Sequence, residues 1–203
     1  MDWWTANSSA DPPPVWSNLQ NPEKARILRA LLKEQKYVCV YCGASITGEW
    51  RSAHIEHFWP QSQFGHLRFD WTNMFASCGP ATEKNQPIIC GDAKGDWTPT
   101  SYVHPVAPDC ELKFCYNGLG HISASSKGGS SAGVMIETLN LGDDSLNYLR
   151  SQIIKALEED IAINEIDAST VIGEISRWRT PDDEGRLKAF GHVAARYLED
   201  KKV

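Results

Sequence analysis

Apolar residues recur at helical spacing near the N-terminus and through the C-terminal third, with a less regular pattern between. Ile27, Leu28, Leu31 and Leu32 give one apolar face to a helix that opens at Asn21-Pro22-Glu23. Asn is a favoured cap, Pro fits the first helical position and Glu suits the positive helix end. From Asp143 onward Leu146, Leu149, Ile153, Leu157 and Ile161 repeat every three or four residues, with Asp143 or Asp144 as the cap. A second helical segment is expected over about 166–178. A third opens at Pro181-Asp182-Asp183-Glu184 and carries Leu187, Phe190, Ala194 and Leu198 on one face. Residues 99–140 suggest loops and short strands. Within them, residues 123–131 have the composition of a flexible loop, and Val134-Met135-Ile136 that of a short strand. Residues 1–20 show no period. Their three tryptophans, Trp3, Trp4 and Trp16, are too apolar for a free tail and predict an arm that docks on something. The expected class is α+β. An N-terminal arm and helix (1–36) precedes a compact mixed module (37–98), and a loop, strand and mainly helical region (99–203) follows.

Composition narrows the class. A 203-residue chain with 41% hydrophobic residues is ordinary globular material. No apolar run approaches the roughly 20 residues of a membrane span. The first fifteen residues lack a basic stretch followed by an apolar one, so no export signal is expected and the chain reads as cytoplasmic. In that compartment thiols stay reduced, and close cysteine pairs then read as metal ligands rather than disulfides. The formal net charge of -6 argues against a chain that grips nucleic acid unaided.

Cys39-Val40-Tyr41-Cys42-Gly43 is a C-x-x-C-G turn, in which the glycine lets the backbone fold beneath two sulfurs bound to one metal. A closed structural zinc site needs four ligands. Cys78 and Cys90, both in turn-rich sequence, are the natural second pair, with the eleven residues between them looping over the site. Cys110 and Cys115 have no glycine between them and read as structural, a second metal site being the weaker reading.

The stretch from His54 to Ser62, HIEHFWPQS, carries the densest chemistry. On a strand, His54 and Glu56 share one face and His57 takes the other. A carboxylate directly before a histidine can hold a cation while the imidazole takes a proton from water, the pairing that phosphodiester hydrolysis requires. Asn73 has an amide able to hold the histidine or tie down a loop. Asp92 is placed to complete a metal site opposite Glu56, and Lys94 to contact phosphate.

These residues together resemble the HNH endonuclease superfamily, built on a ββα-metal finger. The matching positions are Cys39 and Cys42, Glu56-His57, Asn73-Met74, and Cys90 through Lys94. HIEHFWPQS, WTNMFASC and CGDAKG are similar more narrowly to the PtuB-type HNH subunit of Septu anti-phage defence systems, with the similarity firmest over 37–98. The resemblance implies His57 as general base, Glu56 as ligand of a catalytic Mg²⁺ or Mn²⁺, Asn73 as the central asparagine, a structural Zn²⁺, and a PtuA-type ATPase as partner on a nucleic-acid substrate, DNA being favoured. One position departs from the pattern. Where many HNH proteins carry Asn or His directly after the last cysteine, this chain has Gly91. Asp92 is the substitute ligand and His54 the fallback. Two other readings stay open: a non-catalytic zinc-knuckle adaptor, and a nuclease acting on RNA such as tRNA.

Overall fold

The structure, a computed structural model, describes residues 9–10, 14–47, 52–79, 85–98, 100–164 and 168–201. Trp3 and Trp4 of the expected arm lie outside the described residues. The fold is α+β, with helices packed around two small antiparallel sheets. Helix α1, Glu23–Glu34, buries Leu31 and Leu32, with Ile27 and Leu28 packed against the same core. It begins one residue later than expected, and Asn21 makes no side-chain cap to it. After the cysteine turn come β1, Ala53–His57, and β2, Met74–Cys78, paired in register from Ala53 opposite Cys78 to His57 opposite Met74. Gln35, just past α1, pairs with the backbone of β2 like a short strand. Its Nε2 donates to the Ala76 carbonyl at 2.8 Å and its Oε1 accepts from the Ala76 amide at 2.7 Å. Helix α2, Cys90–Lys94, follows.

The second sheet pairs β3, Phe114–Tyr116, with β4, Ile122–Ala124. Helix α3, Gly129–Thr138, then covers the positions expected to form a strand. Val134, Met135 and Ile136 looked β-forming in isolation. The wider spacing Ala132, Met135, Leu139, all buried, is that of a helix face. The serine- and glycine-rich run is correspondingly divided among β4, a turn at 125–128 and the start of α3.

Helix α4, Asp144–Asn164, carries the expected stripe as far as Leu157 with a change, the side chain of Ile161 lying outside the described ones. Leu149 is 44% exposed, and the buried line runs through Leu146, Arg150, Ile154 and Leu157. Arg150 is almost wholly enclosed. Its guanidinium donates to the carbonyls of Gly120 and Leu141 and to Asn147, which is how a buried cation is kept satisfied. Helix α5, Ala168–Arg179, matches its segment. Helix α6, Gly191–Lys201, starts some ten residues after the expected Pro181. The acidic stretch makes a turn instead, because the Asp182 carboxylate accepts from the amides of Glu184 and Arg186, and Gly185 takes φ 75.

One core joins all of this. It runs from Leu31 and Leu32 through Phe58, Ala76 and Cys90 to Met135, Leu146, Val193 and Leu198. Burial of a side chain the size of Phe58 stabilises by about 2–3 kcal/mol. Trp16, placed by its sequence in a docking arm, packs on this body, in contact with the rings of His57 and Phe69.

His192 of α6 supports the cysteine turn from below. Gly43 has φ 74, and a Cβ there would stand 2.2 Å from His192 Cε1, so both its conformation and the close approach need glycine. Burial holds the His192 imidazole down to about 4. The unfolded chain protonates this ring below about pH 6.5, whereas the fold keeps it neutral until about 4. Its contribution is therefore complete above that unfolded value and is lost as pH falls between the two. Denaturant midpoints measured from pH 7 to 4.5 should drop more steeply for wild type than for His192→Gln. Parallel losses in the two proteins would contradict this role for the buried ring.

Candidate metal centre and adjoining histidine site

Three separate stretches of chain deliver four sulfurs to one place. Cys39 and Cys42 come from the turn closed by Gly43 N–H to the Cys39 carbonyl, Cys78 ends β2 and Cys90 opens α2. Their Sγ atoms all lie within 4.8 Å of one another, and Cys42 Sγ to Cys78 Sγ is 3.8 Å. Four sulfurs held tetrahedrally at about 2.3 Å from one zinc lie about 3.8 Å apart. Cys39, Cys42 and Cys90 are buried, and all four are free thiols. Cys90 adopts φ 55, unusual for a side chain with a Cβ, and its amide is anchored on the Leu139 carbonyl at 2.8 Å. The Cys78 amide points at Cys39 Sγ at 3.3 Å, the arrangement that favours a thiolate.

Burial opposes ionisation of Cys39, but hydrogen bonds from Cys42, Cys78 and Cys90 more than offset it and pull its thiol down. Cys42 and Cys90 are pushed up, first by their contact with Cys39. A divalent cation removes this conflict by letting all four ionise together. These four residues can hold a structural metal ion, and their sulfur-only donor set suits zinc. Of the loop from Cys78 to Cys90, residues 80–84 lie outside the described part. Cys110 and Cys115 stand apart from this cluster. Burial pushes Cys110 up to about 11, and Cys115 bonds Ser123 Oγ at 3.2 Å.

The expected catalytic residues lie next to the cysteines. His54 and Glu56 share one face of β1, with His54 Nε2 3.9 Å from Glu56 Oε2 and 4.0 Å from Asp92 Oδ1. A single cation with bonds of roughly 2.1 Å spans oxygen or nitrogen ligands up to about 4.2 Å apart. Gly91 sits between them. A Cβ there would be 2.8 Å from His54 Nε2 and 2.9 Å from Glu56 Oε2. The absent side chain therefore leaves a cradle faced by an imidazole nitrogen and a carboxylate oxygen. The Gly91 amide is held by Ser77 Oγ at 3.2 Å. His54 Nδ1, by contrast, is buried with no hydrogen-bond partner.

Lys94 does not reach outward to a phosphate, and here the sequence expectation needs correction. Its side chain is 1% exposed. Its Nζ lies 3.0 Å from Glu56 Oε1 and donates to the carbonyls of His57 at 2.9 Å and Phe58 at 3.3 Å. The helical position that carries it faces the sheet, because α2 packs on β2. Tyr41 donates to the same Glu56 oxygen at 3.2 Å. Burial raises Glu56, and the Lys94 charge works against that rise.

His57 projects to the other face and is 6% exposed. Its Nε2 is 2.9 Å from the Arg68 carbonyl, which can only accept, so this nitrogen carries the proton. The lone pair is then on Nδ1, which accepts from Gln61 Nε2 at 3.1 Å. Trp16 covers the ring edge-on at 4.7 Å. Burial lowers His57, keeping the imidazole neutral near pH 7. Asn73 does not touch the imidazole. It ties down the loop after β1, accepting from the Trp59 amide and donating to the carbonyls of Trp59 and Leu67.

Sequence reasoning missed Tyr41, Ser77 and Gln61. Tyr41 and Ser77 each neighbour a candidate cysteine and Gln61 lies within the HIEHFWPQS stretch, but only the fold shows what their side chains bond. Analysis of purified protein should find about one zinc per chain. Serine at Cys39 or Cys90 should abolish zinc loading and bring aggregation or loss of fold, because metal binding contributes to folding free energy. A well-folded, metal-free Cys39→Ser protein would refute the structural role.

No protein-family model matches this chain, and comparison with curated proteins returns no relative.

Proposed function

We propose that this protein is a metal-dependent HNH-type endonuclease, with its hairpin and α2 forming a ββα-metal finger. The observation that carries this reading is that His54 Nε2 lies 3.9 Å from Glu56 Oε2 and 4.0 Å from Asp92 Oδ1, with His54 and Glu56 facing the space left by Gly91, and that Glu56 directly precedes a histidine whose tautomer leaves a lone pair for base chemistry. The zinc on Cys39, Cys42, Cys78 and Cys90 is structural. Oxygen-rich donors suit Mg²⁺ or Mn²⁺ at the cradle, with Glu56, Asp92 and His54 as the groups that would hold it. Such an ion supplies charge to the scissile phosphate. Among the described residues β1 pairs only with β2, so its other edge carries no strand. A phosphodiester along that edge meets Glu56 on one face and His57 on the other. His57 takes the proton of an attacking water at Nδ1 once Gln61 gives up that nitrogen, while the Arg68 carbonyl holds the ring in place. As the water oxygen bonds to phosphorus the bond to the leaving sugar oxygen breaks, and that oxygen takes a proton from solvent. Asn73 acts by fixing the loop.

The resemblance of the sequence to the HNH subunit of Septu systems extends the proposal to anti-phage defence beside an ATPase. The net charge of -6 agrees with delivery to nucleic acid by another subunit. Among the described residues no helix is long and apolar enough to cross a membrane. One observation favours a second reading, a zinc-knuckle adaptor without activity: His57 is enclosed by Trp16, Gln61 and the Arg68 carbonyl.

Cleavage assays on DNA and RNA, with and without the ATPase, separate these readings. His57→Ala should lower cleavage by about 10²- to 10⁴-fold with zinc content unchanged. Activity within a few-fold of wild type would remove His57 from the base role. Wild type inactive on every substrate, even with its partner, would favour the adaptor. Gly91→Ala supplies an independent check. Filling the cradle should abolish Mn²⁺-dependent cleavage while leaving one zinc per chain, and unchanged Mn²⁺ dependence would place the catalytic ion elsewhere.

A further inference from the structure

The interaction that removes Lys94 from phosphate binding gives it another effect. Glu56 offers two oxygens. Oε1 is taken by the Lys94 ammonium at 3.0 Å and the Tyr41 hydroxyl at 3.2 Å. Oε2 is the one that faces His54 and the Gly91 cradle. The ammonium is nearly sealed from water, with a side chain 1% exposed, and three backbone carbonyls fix it, those of His57, Phe58 and Gly95. Solvent therefore screens it little, unlike a surface lysine. An enclosed positive charge bonded to a carboxylate neutralises that carboxylate and repels any second cation brought to it.

We propose that Lys94 is a built-in counter-ion of Glu56 that keeps the cradle's affinity for a divalent cation low until a substrate phosphate adds negative charge. This rests on the reading of the cradle as the catalytic cation site. Glu56, the carboxylate that faces the cradle, is already compensated before any metal arrives, so it offers a divalent ion less charge than its residue type suggests. Mg²⁺ sites of this kind draw ligands from substrate phosphates as well as from one or two carboxylates. A phosphodiester at the edge of β1 supplies the missing charge, and the ion and the nucleic acid then bind with positive coupling. Tyr41 and Lys94 together also hold Glu56 to one-oxygen ligation, leaving coordination positions for phosphate and water. Lys94 is a positioning residue here, acting through Glu56.

Mn²⁺ binding to the zinc-loaded chain, followed by electron paramagnetic resonance, tests this in a His57→Ala background that does not cut. Lys94→Met removes the charge. Lys94→Gln removes it but keeps an amide donor for the neighbouring carbonyls, and Lys94→Arg retains it. Zinc content and circular dichroism confirm the fold of each. Without DNA, the Met and Gln variants should bind Mn²⁺ at least about tenfold more tightly than the parent, and the Arg variant as the parent does. Short duplex DNA, corrected for its own Mn²⁺ binding, should tighten Mn²⁺ on the parent more than on the neutral variants. A purely structural lysine would give equal or weaker binding in the neutral variants, and that result overturns the proposal. So does an affinity of the parent left unchanged by duplex DNA at low salt, at concentrations where a gel shift shows the DNA bound. If neither parent nor variants bind Mn²⁺, and Glu56→Gln changes nothing, the cation site itself is wrong and this inference falls with it. Tight binding that is lost in Glu56→Gln but indifferent to residue 94 keeps the site and rejects the role of Lys94.

Discussion

Four thiols held within 4.8 Å of one another are the constraint on which the surrounding local structure converges, and a single cation could bridge them all. The parts they join are weak alone. A two-stranded sheet is marginal by itself, and a helix of five residues lies far below the length at which a helix persists in water. Cys39 and Cys42 fix the turn, Cys78 fixes the end of β2 and Cys90 fixes the first residue of α2. A metal bridging them would set how the hairpin meets that short helix. The rest of the fold supports the same point, with His192 beneath Gly43 and the Leu139 carbonyl on the Cys90 amide.

The neighbouring histidine and carboxylates are placed by the same elements that bring the four cysteines together. Gly91 and Asp92 directly follow a sulfur ligand, and His54 and Glu56 lie on β1, whose register places Ala53 opposite Cys78. The cradle is thus bounded by residues that cannot move far without disturbing the cysteines. Buried polar contacts then set the character of each group. Lys94 and Tyr41 hold one oxygen of Glu56, and the Arg68 carbonyl sets the proton on His57. His57 lies on the opposite face, tucked under Trp16.

The cysteine set was legible in sequence because the metal demands a fixed number of ligands and a tight turn betrays the first two. The shared face of His54 and Glu56 followed from strand alternation alone. The orientation of Lys94 was not legible. A lysine four residues after a cysteine looks like a surface cation, and only the packing of α2 on β2 turns it inward. Trp16 likewise read as an unplaced apolar residue because its partners, His57 and Phe69, are over forty residues away in sequence. Helix boundaries failed where local chemistry outweighed periodicity. Asp182 builds a turn from residues that could equally open a helix, and Val134-Met135-Ile136 followed the longer pattern of α3. Arg150 shows the limit of binary patterning, since a charged residue occupies a core position and is satisfied by carbonyls.

X-ray absorption at the zinc edge of the purified protein tests the central claim most directly. The account predicts a first shell of four sulfurs at about 2.3 Å and no nitrogen or oxygen ligand. A shell of mixed sulfur and nitrogen or oxygen ligands, or zinc present well below one per chain, would contradict it.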